Sequence, residues 1–272
     1  MERIELHART NMTVMDGIAS AENMIKAAIA MGKKSIAICD ANTVLSYPYI
    51  INIMQTLEQQ KAKVGAKLDF KVIYGVEVNV LDDSVPPKQD VLPEYYDYSA
   101  VLLLKKWDKE NVIYRLLSEA NAYRNNEILV VLKSELEKYR DNFLIGSPDD
   151  NGEIWLSLAF GEDVDIIAKK MSFYDYVELM PADYLKHWII EEAGMCEDIQ
   201  VKQKRLLAIA KQLGKPVIAT NHPTLLNYAD FEARAQLVNC YHRGKADAYY
   251  PCFLLKSNDL QKQFSHLDEK CI

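Results

Sequence analysis

The sequence predicts an α/β protein built as a closed or nearly closed barrel of parallel strands. Three observations carry this reading. Strand-like and helix-like segments alternate almost to the end of the chain. The strands are short, continuous apolar runs, as expected of strands buried on both faces. The chain has 272 residues, and one domain of this length with this alternation favours a barrel over an open sheet.

The elements follow in order. A first strand covers about residues 3–7. Ser20 then reads as an N-cap, Met24, Ile25, Ala28 and Ile29 give helical spacing, and Gly32 closes the helix. Ser35-Ile36-Ala37-Ile38-Cys39 is a second strand ending at Asp40, and residues 49–60 are helical. Residues 71–80 form the third strand, with Glu77 near its end. Residues 82–97 hold Pro86, Pro87 and Pro93 and read as a loop, a linker or the scar of a lost insertion. Residues 100–104 are a buried strand, and 109–121 a helix. Phe143-Leu144-Ile145-Gly146 is the fifth strand and residues 174–179 the sixth. A long amphipathic helix over 198–213 ends at Gly214, and Pro216-Val217-Ile218-Ala219-Thr220 is the seventh strand.

Hydrophobic content of 49% and charged content of 26% are those of an ordinary soluble domain. No apolar run approaches the ~18 residues of a membrane span. Met1-Glu2-Arg3 leads straight into a strand pattern, so no secretory signal is expected. Cys39, Cys196, Cys240, Cys252 and Cys271 are scattered and form no Cys-x-x-Cys pair, which fits reduced thiols and a cytoplasmic location. With a net charge of −7, the chain lacks the basic excess of a general nucleic-acid binder.

In barrels of this kind the working residues sit where strands run out into the following loops. Here those places hold His7, Asp16, Asp40, Glu77, Asp149, Asp150, Asn221 and His222. This is a sensible rim for a metal or phosphate site, but a thin one. The chain has five histidines, and His187, His242 and His266 read as surface residues. A strand ending in His-x-His presents two imidazoles on one face, a common metal-binding opening. After His7 the second position is Arg9, a guanidinium that cannot ligate.

Each of these residues also has a plainer reading. A lone strand-end histidine is more often simply hydrogen-bonded. Asp149-Asp150-Asn151-Gly152 is turn chemistry first. Tyr95-Tyr96-Asp97-Tyr98 suits packing over an edge better than base stacking, and Lys202-Gln203-Lys204-Arg205 suits the solvated face of a helix.

Four segments together resemble a known family: Ile4-Glu5-Leu6-His7 with Met15-Asp16, Ile36 to Asp40, Ile73-Tyr74-Gly75-Val76-Glu77, and Val217 to Asn221. In order and spacing they resemble the PHP (polymerase and histidinol phosphatase) domain, most closely the N-terminal region of bacterial DNA polymerase III α subunits. Glu77 followed by Asp82-Asp83-Ser84-Val85-Pro86 resembles the PolC type, where an exonuclease is inserted after this point. The run Leu254-Leu255-Lys256-Ser257 resembles the end of the domain, so the likeness spans 1–272 as one PHP-like domain.

The resemblance implies a distorted seven-stranded (β/α)7 TIM-like barrel whose trinuclear metal site hydrolyses phosphoesters. By position His7, Asp16 and Glu77 match ligands. The other ligand positions hold Arg9, Ala41 after Asp40, Ser99, Pro148 or Asp149, and His222-Pro223-Thr224. The metal candidates are therefore His7, Asp16, Glu77, Asp149 and His222, and the residual catalytic candidates are Glu77 and Arg9. A guanidinium about 4 Å from a unit positive charge costs about 4 kcal/mol at an effective dielectric of about 20, and a divalent ion roughly doubles that. The expectation is a degenerate site with no cofactor, or with one weakly held zinc or manganese ion, and with Arg9 paired to Asp16 or Glu77 instead.

Three functions compete. The first is a non-catalytic scaffold in DNA replication, bound to polymerase III or other replisome subunits and touching DNA only indirectly. Any parent chain would then be a DNA-directed DNA polymerase. The end at Glu269-Lys270-Cys271-Ile272 suggests an excised fragment or a reduced stand-alone paralogue. The second is a metal-dependent phosphoesterase working through the reduced site, with Arg9 holding phosphate. The third is a protein-interaction module unrelated to replication.

Overall fold

The computed structural model describes residues 3–84, 98–122, 129–188, 199–242 and 252–267. Its strands are β1 (Glu5–Ala8), β2 (Ser35–Ala41), β3 (Lys71–Leu81), β4 (Tyr98–Leu104), β5 (Val131–Leu132), β6 (Phe143–Ser147), β7 (Tyr176–Leu179) and β8 (Val217–Ala219). Its helices are α1 (Ala21–Ala30), α2 (Tyr47–Lys63), α3 (Glu110–Ala122), α4 (Lys133–Lys138), α5 (Glu153–Ala159), α6 (Val164–Ser172), α7 (Ile199–Leu213), α8 (Ala229–His242) and α9 (Ser257–Gln263). The chain divides into two units, Met1–Val76 with Asn221–Gln261 and Glu77–Thr220 with Lys262–Ile272.

In the first unit β1 and β2 are parallel, with Glu5 opposite Ile36 and Ala8 opposite Ile38. Three steps on β1 face two on β2, so a bulge falls between Glu5 and Ala8. Bulges re-aim side chains, and this one contains His7. Ser20 caps α1 by accepting a hydrogen bond from the Asn23 amide at 3.2 Å, and Gly32, at φ +80°, turns the chain into β2. Met24, Ile25 and Ala28 give α1 its buried face, and Tyr47, Ile50 and Ile53 do the same for α2. The Tyr47 hydroxyl donates to the Gly75 carbonyl at 3.0 Å, tying α2 to β3.

In the second unit the strand order is β3-β4-β6-β7-β8, with β5 paired to β3. The pairs β3–β5, β6–β7 and β7–β8 are parallel. All seven residues of β4 are buried. The fully buried Trp155, Tyr174, Phe143 and Ile113 pack this core.

The α/β class holds, and two expectations about the strands need correction. β4 and β6 run antiparallel, with Leu104 opposite Phe143. The chain therefore leaves and re-enters the sheet at the same end. An apolar strand buried on both faces reads the same in either direction, so the sequence carried no sign of this reversal. β5 was missed because two residues have no period.

Two surface assignments also change. Lys202 and Gln203 are 4% and 0% exposed, because α7 turns them inward with Ile199 and Leu206. His266 is half-buried, with Nε2 2.7 Å from Gln203 Oε1. Of the tyrosine-rich segment, Tyr98 is described and is 4% exposed, as the packing reading requires. Residues 85–97, the side chains of His187 and His242, and Cys196, Cys271 and residues 268–272 lie outside the described residues. Among the described residues, Cys39, Cys240 and Cys252 form no disulfide. Among the described residues no helix is long and apolar enough to cross a membrane.

Candidate functional site

In the first unit the end of β1 brings His7 to His222. The two rings lie 3.9 Å apart between centroids and are tilted by 46°. Both residues are buried, at 0% and 5% exposure. His222 adopts φ +43°, a left-handed backbone that non-glycine residues rarely take. Its neighbours hold it there. The Arg9 amide donates to the Pro223 carbonyl at 3.0 Å, and the Asn221 side-chain amide donates to the Phe253 carbonyl at 2.5 Å.

The carboxylates of this unit are engaged by protein donors. Asp16 Oδ2 accepts from Arg9 Nη1 at 3.1 Å, and Asp16 Oδ1 accepts from Arg234 Nη2. Arg234 Nε also donates to the Asp16 carbonyl at 3.2 Å. Burial pushes the Asp16 carboxyl upward, but the Arg234 and Arg9 guanidiniums outweigh it and hold the group below the usual carboxylate range. Asp40 accepts from the Thr10 amide at 2.6 Å, the Thr10 hydroxyl at 2.9 Å and the Thr13 hydroxyl at 2.9 Å. Glu5 Oε2 accepts from Arg3 at 2.6 Å, and Oε1 from the His7 amide at 3.2 Å. Glu5 thus braces β1 itself, while Asp16, in the loop after β1, and Asp40, near the end of β2, hold that loop in place.

In the second unit Glu77 is buried on β3, at 5% exposure, and Asp149 follows β6 at 0% exposure. The Met180 amide donates to Asp149 Oδ2. Burial first, then the charges of Asp150 and Glu178, push the Asp149 carboxyl well above its usual value. The tight turn that presents Asp149 needs Gly152, because a Cβ there would lie 1.7 Å from the Pro148 carbonyl oxygen. From Met180 the network continues: its carbonyl accepts from Gln203 Nε2 at 2.7 Å, and Gln203 Oε1 meets His266.

A second polar cluster ties down the start of the segment after β3. Lys133 Nζ donates to Asp82 at 2.8 Å and to Glu153 at 3.2 Å, and lies 5.2 Å from the Phe173 ring centre. The Tyr174 hydroxyl donates to Glu153 at 2.9 Å, and Asp83 accepts from the Ser134 amide at 3.0 Å.

The sequence-derived candidates therefore divide. His7, Arg9, Asp16 and His222 belong to the first unit, where His7 meets His222 and Arg9 meets Asp16. Glu77 and Asp149 belong to the second. Sequence reasoning missed Glu5, Glu178 and Arg234. An acid inside an apolar run was the available signal for the first two: Ile4-Glu5-Leu6 and Val177-Glu178-Leu179. Arg234, on α8, had none.

A family model described as PHP domain matches residues 5–190. The DNA polymerase III PolC-type of Halalkalibacterium halodurans is 30% identical over 141 residues, covering 51% of this chain and 10% of its own. That of Bacillus subtilis is 31% identical over 147 residues, 52% of this chain and 10% of its own. That of Streptococcus pneumoniae is 24% identical over 272 residues, 91% of this chain and 17% of its own. The chain thus spans about a tenth to a sixth of the length of these relatives. A solved structure described as a metal-dependent phosphoesterase, from Bifidobacterium adolescentis, aligns over 98% of this chain and 97% of its own at a TM-score of 0.44 and 11% identity. With the family match spanning more than half of its residues, this chain belongs to the PHP domain family.

Proposed function

We propose that this chain is one PHP domain over residues 1–272, of the polymerase III PolC kind, whose role in DNA replication is architectural. The observation that carries this reading is the occupation of Asp16. Both carboxylate oxygens of a family ligand position accept from guanidiniums, Arg9 and Arg234. A cation at Asp16 would displace two charge-assisted hydrogen bonds and sit beside two positive charges. The reading includes the distorted seven-stranded TIM-like barrel, a cytoplasmic location, polymerase III or other replisome subunits as partners, and contact with DNA only through them. The net charge of −7 supports the last point.

The test is metal content after purification, with hydrolysis of bis-p-nitrophenyl phosphate under added manganese or zinc. Less than one equivalent of metal and no turnover are expected. A multi-ion complement, with turnover abolished by Glu77→Ala, overturns the architectural reading.

A second reading starts from the His7–His222 apposition. A metal-dependent phosphoesterase would hold one divalent ion on these imidazoles, with Arg9 on phosphate. The ion would supply Lewis acidity and an activated water.

A further inference from the structure

The end of α2 stands clear of the core that its start packs into. Tyr47, Ile50 and Ile53 bury the first part of this helix, but every residue from 58 to 67 is exposed. About the last turn and a half of α2 is therefore open on all faces, as is the chain leading from it toward β3. Helices in proteins are held mostly by packing of an apolar face, and this stretch packs on nothing in its own unit.

The open stretch is basic. Lys61 and Lys63 lie in the last turn of the helix, and Lys67 and Lys71 follow it, all exposed. Among the described residues none of these four is in an ion pair. Asp69 is taken by Lys34, which leaves Glu58 as the other acid between residues 58 and 71. The Lys71 amide donates to the Lys34 carbonyl at 3.1 Å, so Lys34 lies at the same end of the sheet. The negative end of a helix favours lysines in its last turn, but that field fades within the turn and does not account for Lys67 and Lys71.

We propose that this arm, residues 58–71, docks an acidic segment of a partner protein. The chain carries a net charge of −7, so a local surplus of unpaired lysines complements an anionic partner. Two observations favour a protein segment over nucleic acid. Val64 is 75% exposed between Lys63 and Lys67, and an apolar side chain of a partner would gain by covering it where a phosphate backbone would not. Residues 58–71 hold no arginine and, apart from the buried Phe70, no aromatic ring, the groups that grip phosphates bidentately and stack on bases. A duplex would also extend past the reach of these charges, about 8–10 Å, and meet the acidic remainder of the chain. This docking gives the architectural role above a partner chemistry.

The test is an amide-resolved NMR titration of the full chain in EDTA with a short peptide of glutamates around a central leucine. The same peptide with glutamine for glutamate, and an oligothymidylate of equal length, serve as comparisons. The acidic peptide should shift amides at Lys34 and residues 58–71 and saturate, more weakly as salt rises, and the glutamine peptide should not bind. Lys61→Glu with Lys63→Glu should weaken the acidic peptide about tenfold, and Val64→Ser about threefold. Lys204→Glu with Lys211→Glu, an equal charge change at exposed positions of α7, should leave binding unchanged. Five results would each overturn the assignment: no saturable shift, shifts confined to other residues, equal weakening by the α7 variant, oligothymidylate binding as tightly as the acidic peptide, or arm shifts that follow chain concentration alone, which would place a second copy there. The test uses neither metal nor a polymerase subunit, so its failure is distinct from failure of the architectural reading.

Discussion

The imidazole of His222 lies 3.9 Å from that of His7, and His222 holds φ +43° to place it there. The left-handed backbone costs about 1–3 kcal/mol for a non-glycine residue, so the surroundings over-determine this position. His222→Gly should cost stability only through the lost ring. His222→Val, which adds a β-branch at positive φ, should be less stable than His222→Gly by about 1–2 kcal/mol. Urea unfolding of both variants checks this. Equal midpoints at equal slope would show that the backbone there is not strained.

The Asp16–Arg234–Arg9 cluster predicts an asymmetric mutational response. Removing one member of a part-buried ion cluster leaves the others unpaired, so Arg234→Met should cost about 1–3 kcal/mol. The double variant Asp16→Asn with Arg234→Met should cost less than the sum of the two single changes. A double-mutant cycle by denaturant unfolding measures the coupling, and strict additivity would mean the contact carries no energy.

The pH dependence of that cluster has a definite sign. The folded carboxyl of Asp16 is held below the usual value of about 3.9. The native chain therefore binds fewer protons than the unfolded chain between the two values. The contribution of Asp16 is complete above pH about 4 and is lost as pH falls toward the folded value. Acid unfolding of Asp16→Asn should be flatter than that of the parent below pH about 4.

Asp149 behaves in the opposite way. Burial, Asp150 and Glu178 raise its carboxyl, so the native chain keeps a proton that the unfolded chain releases. Stability falls as pH rises above about 3.9 and levels off once the folded value is passed. Asn keeps an acceptor for the Met180 amide without the charge. In EDTA, Asp149→Asn should raise Tm at pH 8 and leave it nearly unchanged at pH 4, read by thermal melts. An equal shift at both pH values would exclude the charge as the cause.

The Lys133 clamp should respond through packing as well as charge. Lys133 touches Asp82 and Glu153 and lies over the Phe173 ring. Lys133→Met keeps much of the volume but strands two carboxylates and should cost about 2–4 kcal/mol. Proteolysis at residues 82–84 should quicken, because Asp82 and Asp83 are held at the start of α4.

Much of this protein is written locally. The Ser20 cap, the face Met24-Ile25-Ala28, Gly32 and Gly214 beyond their helices, and the apolar runs of β2, β3 and β4 each follow from near-neighbour chemistry. So does the absence of a second imidazole at Arg9, and with it the expectation that Arg9 pairs with Asp16 or Glu77, of which the Asp16 contact forms at 3.1 Å. What tertiary structure alone decided are meetings between distant segments. The β4–β6 reversal depends on which end of the sheet the chain re-enters. Arg234 reaches Asp16 across more than two hundred residues, Lys202 and Gln203 turn inward beside His266, and His222 bends its backbone to face His7. A sequence records propensity and period, but which buried charge finds which partner is set by the packing that brings them together, because burial makes an unpaired charge too costly to leave.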